Sequence, residues 1–306
     1  MEYPVKLEIE IARGVCTATC PMCSIDETKY NKTVMNFNKF KSIIDCFGDN
    51  IYKIKHVNLV GLGEVLADVR LNKKIQYLKS KKIEHVSFPS NASLLKPKVS
   101  NKILDAGCNE IIIGIDSMNK EIFEKVRRDL IFEEILENTL SHIKIRNKGN
   151  YKSKVMVRMI INEDNKNEWE SYKNFWKEKL DFKKGDMILY FPEHNWSDHD
   201  YPNADGSPKI VEKDVRCEYI YDRLCLDAHG NVKFCCIDIN ATFFGGIGNV
   251  LFVDPIEIFN SDYFVNSRKL MNEGKINSIK PCSTCNVPVQ RSQRGFHDEI
   301  EVNVPQ

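Results

Sequence analysis

Apolar runs of strand length alternate with amphipathic stretches of helical period over the first two thirds of the chain, and this alternation restricts the fold more than any other feature. The strand-like runs are residues 6–11 (KLEIEI), 56–61, 85–89, 110–116, 155–161 and 187–191. Helical spacing is expected over 40–47, 70–81, 100–106, 120–127, 132–146 and 168–180, with Gly107 as a glycine stop. Nearly all-apolar strands fit a parallel sheet covered by helices. A closed eight-stranded barrel needs about 250 residues, so six β/α units in roughly 190 residues predict an open, partial (β/α)6 TIM-like barrel in an α/β chain. The reactive face of such a sheet is the C-terminal end of its strands, where the βα loops gather.

After Pro192 the pattern breaks. Residues 193–208 are rich in Asp, His, Asn, Pro and Gly and read as a connecting loop. Beyond Cys217 a hairpin is expected (224–227 and 232–237 around His229-Gly230-Asn231), then a helix over 256–271. Two units follow, residues 1–209 and 210–306. The 44 basic and 43 acidic residues give a net charge of +1, which argues against a general nucleic-acid footprint. No apolar run reaches the ~18–20 residues of a membrane span. Met1-Glu2-Tyr3-Pro4-Val5-Lys6 lacks the pattern of an export signal, so a cytoplasmic protein is expected. In a reducing compartment, 11 cysteines point to metal binding or catalysis rather than disulfides.

Directly after the first strand comes Gly14-Val15-Cys16-Thr17-Ala18-Thr19-Cys20-Pro21-Met22-Cys23, a C-x3-C-x2-C loop. Structural zinc wants four ligands. Three thiolates suit a [4Fe–4S] cluster that keeps one iron free, although a distant fourth ligand would complete a zinc site. The loop sits where an α/β barrel does its chemistry, and that favours the cluster.

With these cysteines the chain resembles the radical S-adenosylmethionine (radical SAM) superfamily. Gly61-Leu62-Gly63-Glu64, after strand two, is similar to the family's Gly-Gly-Glu motif, which holds the SAM amino group; Leu62 replaces a glycine and Val65 the usual proline. Ser90-Asn91-Ala92 stands where many members have Thr-Asn-Gly. Gly114-Ile115-Asp116-Ser117 resembles the Ser-x-Asp-Gly segment near the ribose, with Gly114 lacking the hydroxyl. Arg158 suits the SAM carboxylate, since guanidinium binds carboxylates bidentately, and Met22 joins the cofactor-binding set. The resemblance implies that Cys16, Cys20 and Cys23 hold the cluster, that SAM chelates its open iron, and that one-electron reduction yields a 5′-deoxyadenosyl radical able to abstract a substrate hydrogen.

Cys217, Gly230, Cys235 and the pair Cys282-Ser283-Thr284-Cys285 resemble the SPASM/twitch extension of this superfamily, implying a second [4Fe–4S] cluster on Cys217, Cys235, Cys282 and Cys285. A zinc ribbon on the same four thiolates is the alternative. Cys236 follows a proposed ligand directly and is a candidate hydrogen-atom donor, which would make the reaction an epimerisation; without such a donor the second cluster takes an electron and the product is oxidised. Glu193 or His194 is the candidate base for a hydroxyl proton. Strand one begins so early that no leader-peptide module is expected ahead of it. Similarity to aminocyclitol dehydrogenases and sugar epimerases implies a small hydroxylated substrate and an external one-electron donor such as flavodoxin or ferredoxin, with no membrane or nucleic-acid partner. Two other readings compete: modification of a ribosomal peptide, and a zinc-stapled binding protein.

Overall fold

The computed structural model describes residues 1–25, 32–193, 216–239, 247–280 and 282–288. Six parallel strands carry the barrel: β1 (Lys6–Glu10), β2 (His56–Val60), β3 (His85–Ser90), β4 (Glu110–Gly114), β5 (Lys154–Ile161) and β6 (Met187–Pro192). Two more strands, β7 (Arg223–Leu226) and β8 (Val232–Lys233), extend the sheet. Its order is β8-β7-β1-β2-β3-β4-β5-β6, with β8 antiparallel and β6 and β8 at opposite edges. The barrel is therefore open, as the residue count predicts. The covering helices are α1 (Phe37–Asp45), α2 (Leu71–Ser80), α3 (Pro97–Asp105), α4 (Lys120–Val126), α5 (Phe132–Lys148) and α6 (Trp169–Lys177).

Strand alternation divides the sheet into two faces. Leu7, Ile9, Val57, Leu59, Val86, Phe88, Ile111, Ile113, Val155 and Val157 are fully buried on the helix-covered face, each contributing about 1.5–3 kcal/mol of burial. The inner face is polar. There Arg223 Nη1 donates to Glu8 at 2.7 Å, Lys233 Nζ to Glu10 at 2.6 Å, and Ser87 Oγ to Asn58 at 3.0 Å. Such a lined interior leaves room for a site at one end of the strands.

Three sequence expectations need correction. The hairpin does not stand apart from the barrel, because β7 pairs in parallel with β1 (Lys6 opposite Arg223, Ile9 opposite Leu226). Its second strand stops at Lys233 rather than 237, because the Asp238 carboxylate accepts the Phe234 N–H and the chain turns. The helix over 256–271 is two helices, α7 (Pro255–Phe259) and α8 (Asp262–Asn272). Ser261 between them is extended, and the Asn260 side chain folds back to donate to the carbonyls of Ile256 and Glu2. The expected boundary near 210, and His194 with it, lie outside the described residues. Among the described residues no helix is long and apolar enough to cross a membrane.

A buried titratable group on α5 gives a stability prediction. His142 is fully buried beside Arg146, and burial followed by that positive charge lowers its pKa to about 4. Neither ring nitrogen has a hydrogen-bond partner. The unfolded chain takes up a proton near pH 6.5 and the folded one only near 4. The stabilising contribution is therefore complete above pH 6.5 and is lost as pH falls through that window. Denaturant unfolding measured from pH 7 to pH 4 should show His142→Leu losing about 3 kcal/mol less than the parent chain. Equal acid sensitivity in the two proteins would reject the assignment.

Candidate active site

The C-terminal ends of the barrel strands enclose a cleft of about 190 Å3. Cys16, Cys20, Met22 and Cys23 line it from the loop after β1, and Gly61, Gly63 and Glu64 from the loop after β2. Ser90 and Asn91 line it from the end of β3, and Arg158 and Glu193 from β5 and the residue after β6. Each of these was expected in the site from sequence, and the fold brings them to one place.

The β2 loop is pressed against the cysteine loop. Gly14 N donates to Leu62 O at 2.6 Å and Glu64 N to Val15 O at 2.8 Å. A Cβ on Gly63 would lie 2.5 Å from Ala12 O, so only glycine permits this approach. Leu62 is tolerated in place of a glycine because its side chain is buried while its carbonyl makes the contact. Glu64 is buried and accepts from Leu66 N (2.9 Å), Ser90 Oγ (2.8 Å) and Asn91 N (2.8 Å). A carboxylate has about four acceptor sites, so one is left for a ligand donor. Burial raises the Glu64 carboxyl pKa despite those hydrogen bonds. A bound ammonium group would favour the charged form.

The three thiols are held by their surroundings. Asn91 Nδ2 donates to Cys16 Sγ at 3.6 Å, Arg127 Nη1 to Cys20 Sγ at 3.8 Å, and Cys23 N to Cys20 O at 3.0 Å. Burial raises the Cys16 pKa and pushes Cys23 up to about 11. Cys16 and Cys23 therefore stay protonated at neutral pH on their own, and a bound cationic metal centre would make them thiolates. The donor set therefore fits an iron–sulfur cluster with SAM beside it: three thiols, a carboxylate for an ammonium group, and guanidinium groups for a carboxylate.

Arg127 is the site residue that sequence reasoning missed. Read as the last residue of a helix, it looks like a cation favoured by the helix dipole. In the structure α4 ends at Val126, and Arg127 leaves helical geometry (φ −120°, ψ 61°) to line the cleft. Asp116, expected near the ribose, does not line the cleft. Its carboxylate lies behind Arg127, accepting from Arg127 Nε at 2.5 Å and from Ile160 N at 2.8 Å. The same guanidinium explains Gly114, since a Cβ there would lie 2.9 Å from Arg127 Nη2.

Cys217, Cys235, Cys282 and Cys285 line a second, smaller cavity with Tyr219, Ile220 and Phe234. Burial, then the neighbouring Cys282 and Cys285, push the Cys235 thiol well up. Cys236 lines neither cavity. It packs with Phe191 against the cluster of Ile237, Cys285 and Val287. Cys108 is buried, its thiol donating to Glu110 O at 3.3 Å, as a small core residue does. Among the described residues, no three His, Cys, Asp or Glu side chains are grouped closely enough to hold a single metal ion.

The family model of the radical SAM superfamily matches residues 13–175. This chain belongs to the radical SAM superfamily. A second model, the SPASM iron–sulfur cluster-binding domain, matches residues 217–286. As a radical SAM protein with a SPASM domain, it uses SAM and a [4Fe–4S] cluster and carries a further iron–sulfur cluster in its second part. A search of curated proteins finds no match to it. Among solved structures it is similar to BtrN in complex with AdoMet and 2-DOIA, at 15% identity over 94% of both chains, with a TM-score of 0.62. It is also similar to Streptococcus suis SuiB bound to the precursor peptide SuiA (9% identity, 95% of this chain and 71% of that one, TM-score 0.65). A third similar structure is anSMEcpe with AdoMet and the Cp18Cys peptide (13% identity, 92% and 88%, TM-score 0.63). At these identities the likeness establishes the radical SAM fold.

Proposed function

We propose that this radical SAM enzyme oxidises a carbinol of a small hydroxylated substrate, a sugar or cyclitol, to a ketone. One observation carries the choice of reaction. Glu193 lines the cleft, whereas among the described residues no thiol other than Cys16, Cys20 and Cys23 does. Oxidation needs a base for the hydroxyl proton, and Glu193 supplies one. Epimerisation needs a second hydrogen-atom donor, and Cys236 stands outside the cleft lining.

In this reading Cys16, Cys20 and Cys23 hold the first cluster, and Cys217, Cys235, Cys282 and Cys285 hold a second [4Fe–4S] cluster in the unit from residue 210. Gly61, Gly63, Ser90 and Asn91 shape the pocket in which Glu64 binds the SAM ammonium, and Arg127 binds its carboxylate. Met22 completes the wall on the cysteine-loop side. When bound, these groups supply a hydrogen-abstracting 5′-deoxyadenosyl radical and an acceptor for the remaining electron. The chain orients the carbinol, takes its proton on Glu193 and excludes water from the cleft. An external one-electron donor such as flavodoxin or ferredoxin supplies the reducing electron. The substrate class is supported by the 2-DOIA complex of BtrN, whose length this chain matches in both directions.

The test uses anaerobically reconstituted protein with SAM, dithionite and polyols or aminocyclitols deuterated at each carbinol carbon. Deuterium in 5′-deoxyadenosine and a product two hydrogens lighter are expected. An epimer one mass unit lighter, its carbinol deuterium replaced by solvent hydrogen, would replace oxidation with epimerisation. Deuterium transfer from a peptide and from none of the polyols would reject the substrate class.

A further inference from the structure

Two guanidinium groups line the cleft, and their surroundings differ. Arg127 is compensated: its Nε is bound by Asp116 at 2.5 Å and its Nη1 faces Cys20 Sγ at 3.8 Å, at the cysteine-loop end. Its Nη2 is buried without a partner. The SAM carboxylate has to lie beside the cluster, so Arg127 is the cation placed to take it.

Arg158 is left over. It sits on β5 opposite Gly114 of β4 and Leu189 of β6, on the inner face of the sheet. Its side chain makes no ion pair or hydrogen bond among the described residues, and its Nε is buried without a partner. Its guanidinium carbon lies 5.6 Å from the centre of the Phe191 ring. Burial, then the positive charge of Arg127, lower its pKa against a smaller opposing pull from Asp116, whose carboxylate is already bonded to Arg127 Nε. A half-buried cation with no hydrogen-bonding partner of its own is stabilised when a ligand brings the anion. SAM carries one carboxylate, which Arg127 accounts for. Arg158, beside Phe191 in the lining of the same cleft, is left for the substrate.

We propose that Arg158 is a specificity residue that binds an anionic group, a carboxylate or a phosphate, on the hydroxylated substrate. Guanidinium presents a flat fork of donors that matches either oxyanion. The inference rests on the cleft being the substrate site, and it narrows the substrate from any polyol to an acidic one.

Binding is measured by calorimetry on the reconstituted, SAM-loaded protein with glucuronate, glucose 6-phosphate and glucose as probes. At least one acidic sugar should bind about tenfold or more tightly than glucose, and which of the two does so distinguishes carboxylate from phosphate. Arg158→Gln should abolish that preference while SAM affinity changes by less than about threefold, and Arg158→Lys should restore part of it. Equal affinity of the parent protein for all three sugars, or binding of none, overturns the proposal even if no variant folds. So does loss of SAM affinity in Arg158→Gln with the acid preference intact, which would give Arg158 to the SAM carboxylate. Deuterium transfer from an acidic sugar at an undiminished rate in Arg158→Gln would sink this inference and leave the dehydrogenase reading standing.

Discussion

Cys20→Ala is expected to lower reductive SAM cleavage to the level measured without protein. Three thiolates are the minimum that hold a [4Fe–4S] cluster with one open iron, so two leave nothing for SAM to chelate. Cys20 is the most informative of the three because it is buried and faces Arg127 Nη1. Its removal also takes a partner from the guanidinium assigned to the SAM carboxylate. Iron per chain should fall from about eight to about four, because the Cys217–Cys285 set is untouched. The measurement is 5′-deoxyadenosine formed under dithionite, alongside iron analysis. A variant that still makes 5′-deoxyadenosine, or that keeps all its iron, would take Cys20 out of the ligand set.

Cys20 was legible in the sequence because its whole signal is local. The three cysteines lie on one loop, and an alternating apolar run immediately before them gives the strand that carries it. Glu64, Ser90 and Asn91 were legible for the same reason, since each lies at or just after the end of a strand whose period is clear. What sequence could not reach depends on pairing between distant segments. That β7 continues the barrel sheet follows from Leu7 meeting Leu224 and Ile9 meeting Leu226, about 217 positions apart in the chain. Nothing local distinguishes such a strand from one in a separate unit. Arg127 escaped notice because the feature that makes it functional is a departure from helical geometry at a residue whose type suits a helix end. Asp116 was placed in the site by its motif, and only the bond from Arg127 Nε reveals that it supports the site from behind. Gly114 stands where the family has serine, and only in space is it visible that Arg127 Nη2 lies 2.9 Å from where a Cβ would sit.

At the opposite end of the barrel, Asp186→Ala is expected to destabilise the chain by about 3–5 kcal/mol. Asp186 precedes β6 and is buried, as is Arg146 on α5. Arg146 Nη1 donates to Asp186 Oδ1 at 2.7 Å and Nη2 to Oδ2 at 2.5 Å. The same carboxylate accepts Val155 N and Asp181 N, both at 2.8 Å, and Arg146 also donates to Ser153 O at 2.7 Å. Truncating the acid strands a buried guanidinium and two backbone donors together, which is why the cost exceeds that of an exposed pair. A loss of this size is a large share of the 5–15 kcal/mol that typically holds a domain together, and the midpoint of thermal unfolding should fall on the order of 10 °C. The double variant Arg146→Met with Asp186→Leu should regain most of it, because an apolar pair leaves no charge unpaired. These residues sit at the N-terminal ends of β5 and β6, whereas Arg158, Phe191 and Glu193 line the cleft at the other ends. SAM cleavage per folded molecule should therefore be unchanged at a temperature where Asp186→Ala is still folded. Loss of cleavage without loss of stability would mean that this ion pair reaches the site through the strands, and would overturn the separation of a stabilising end from a reactive one.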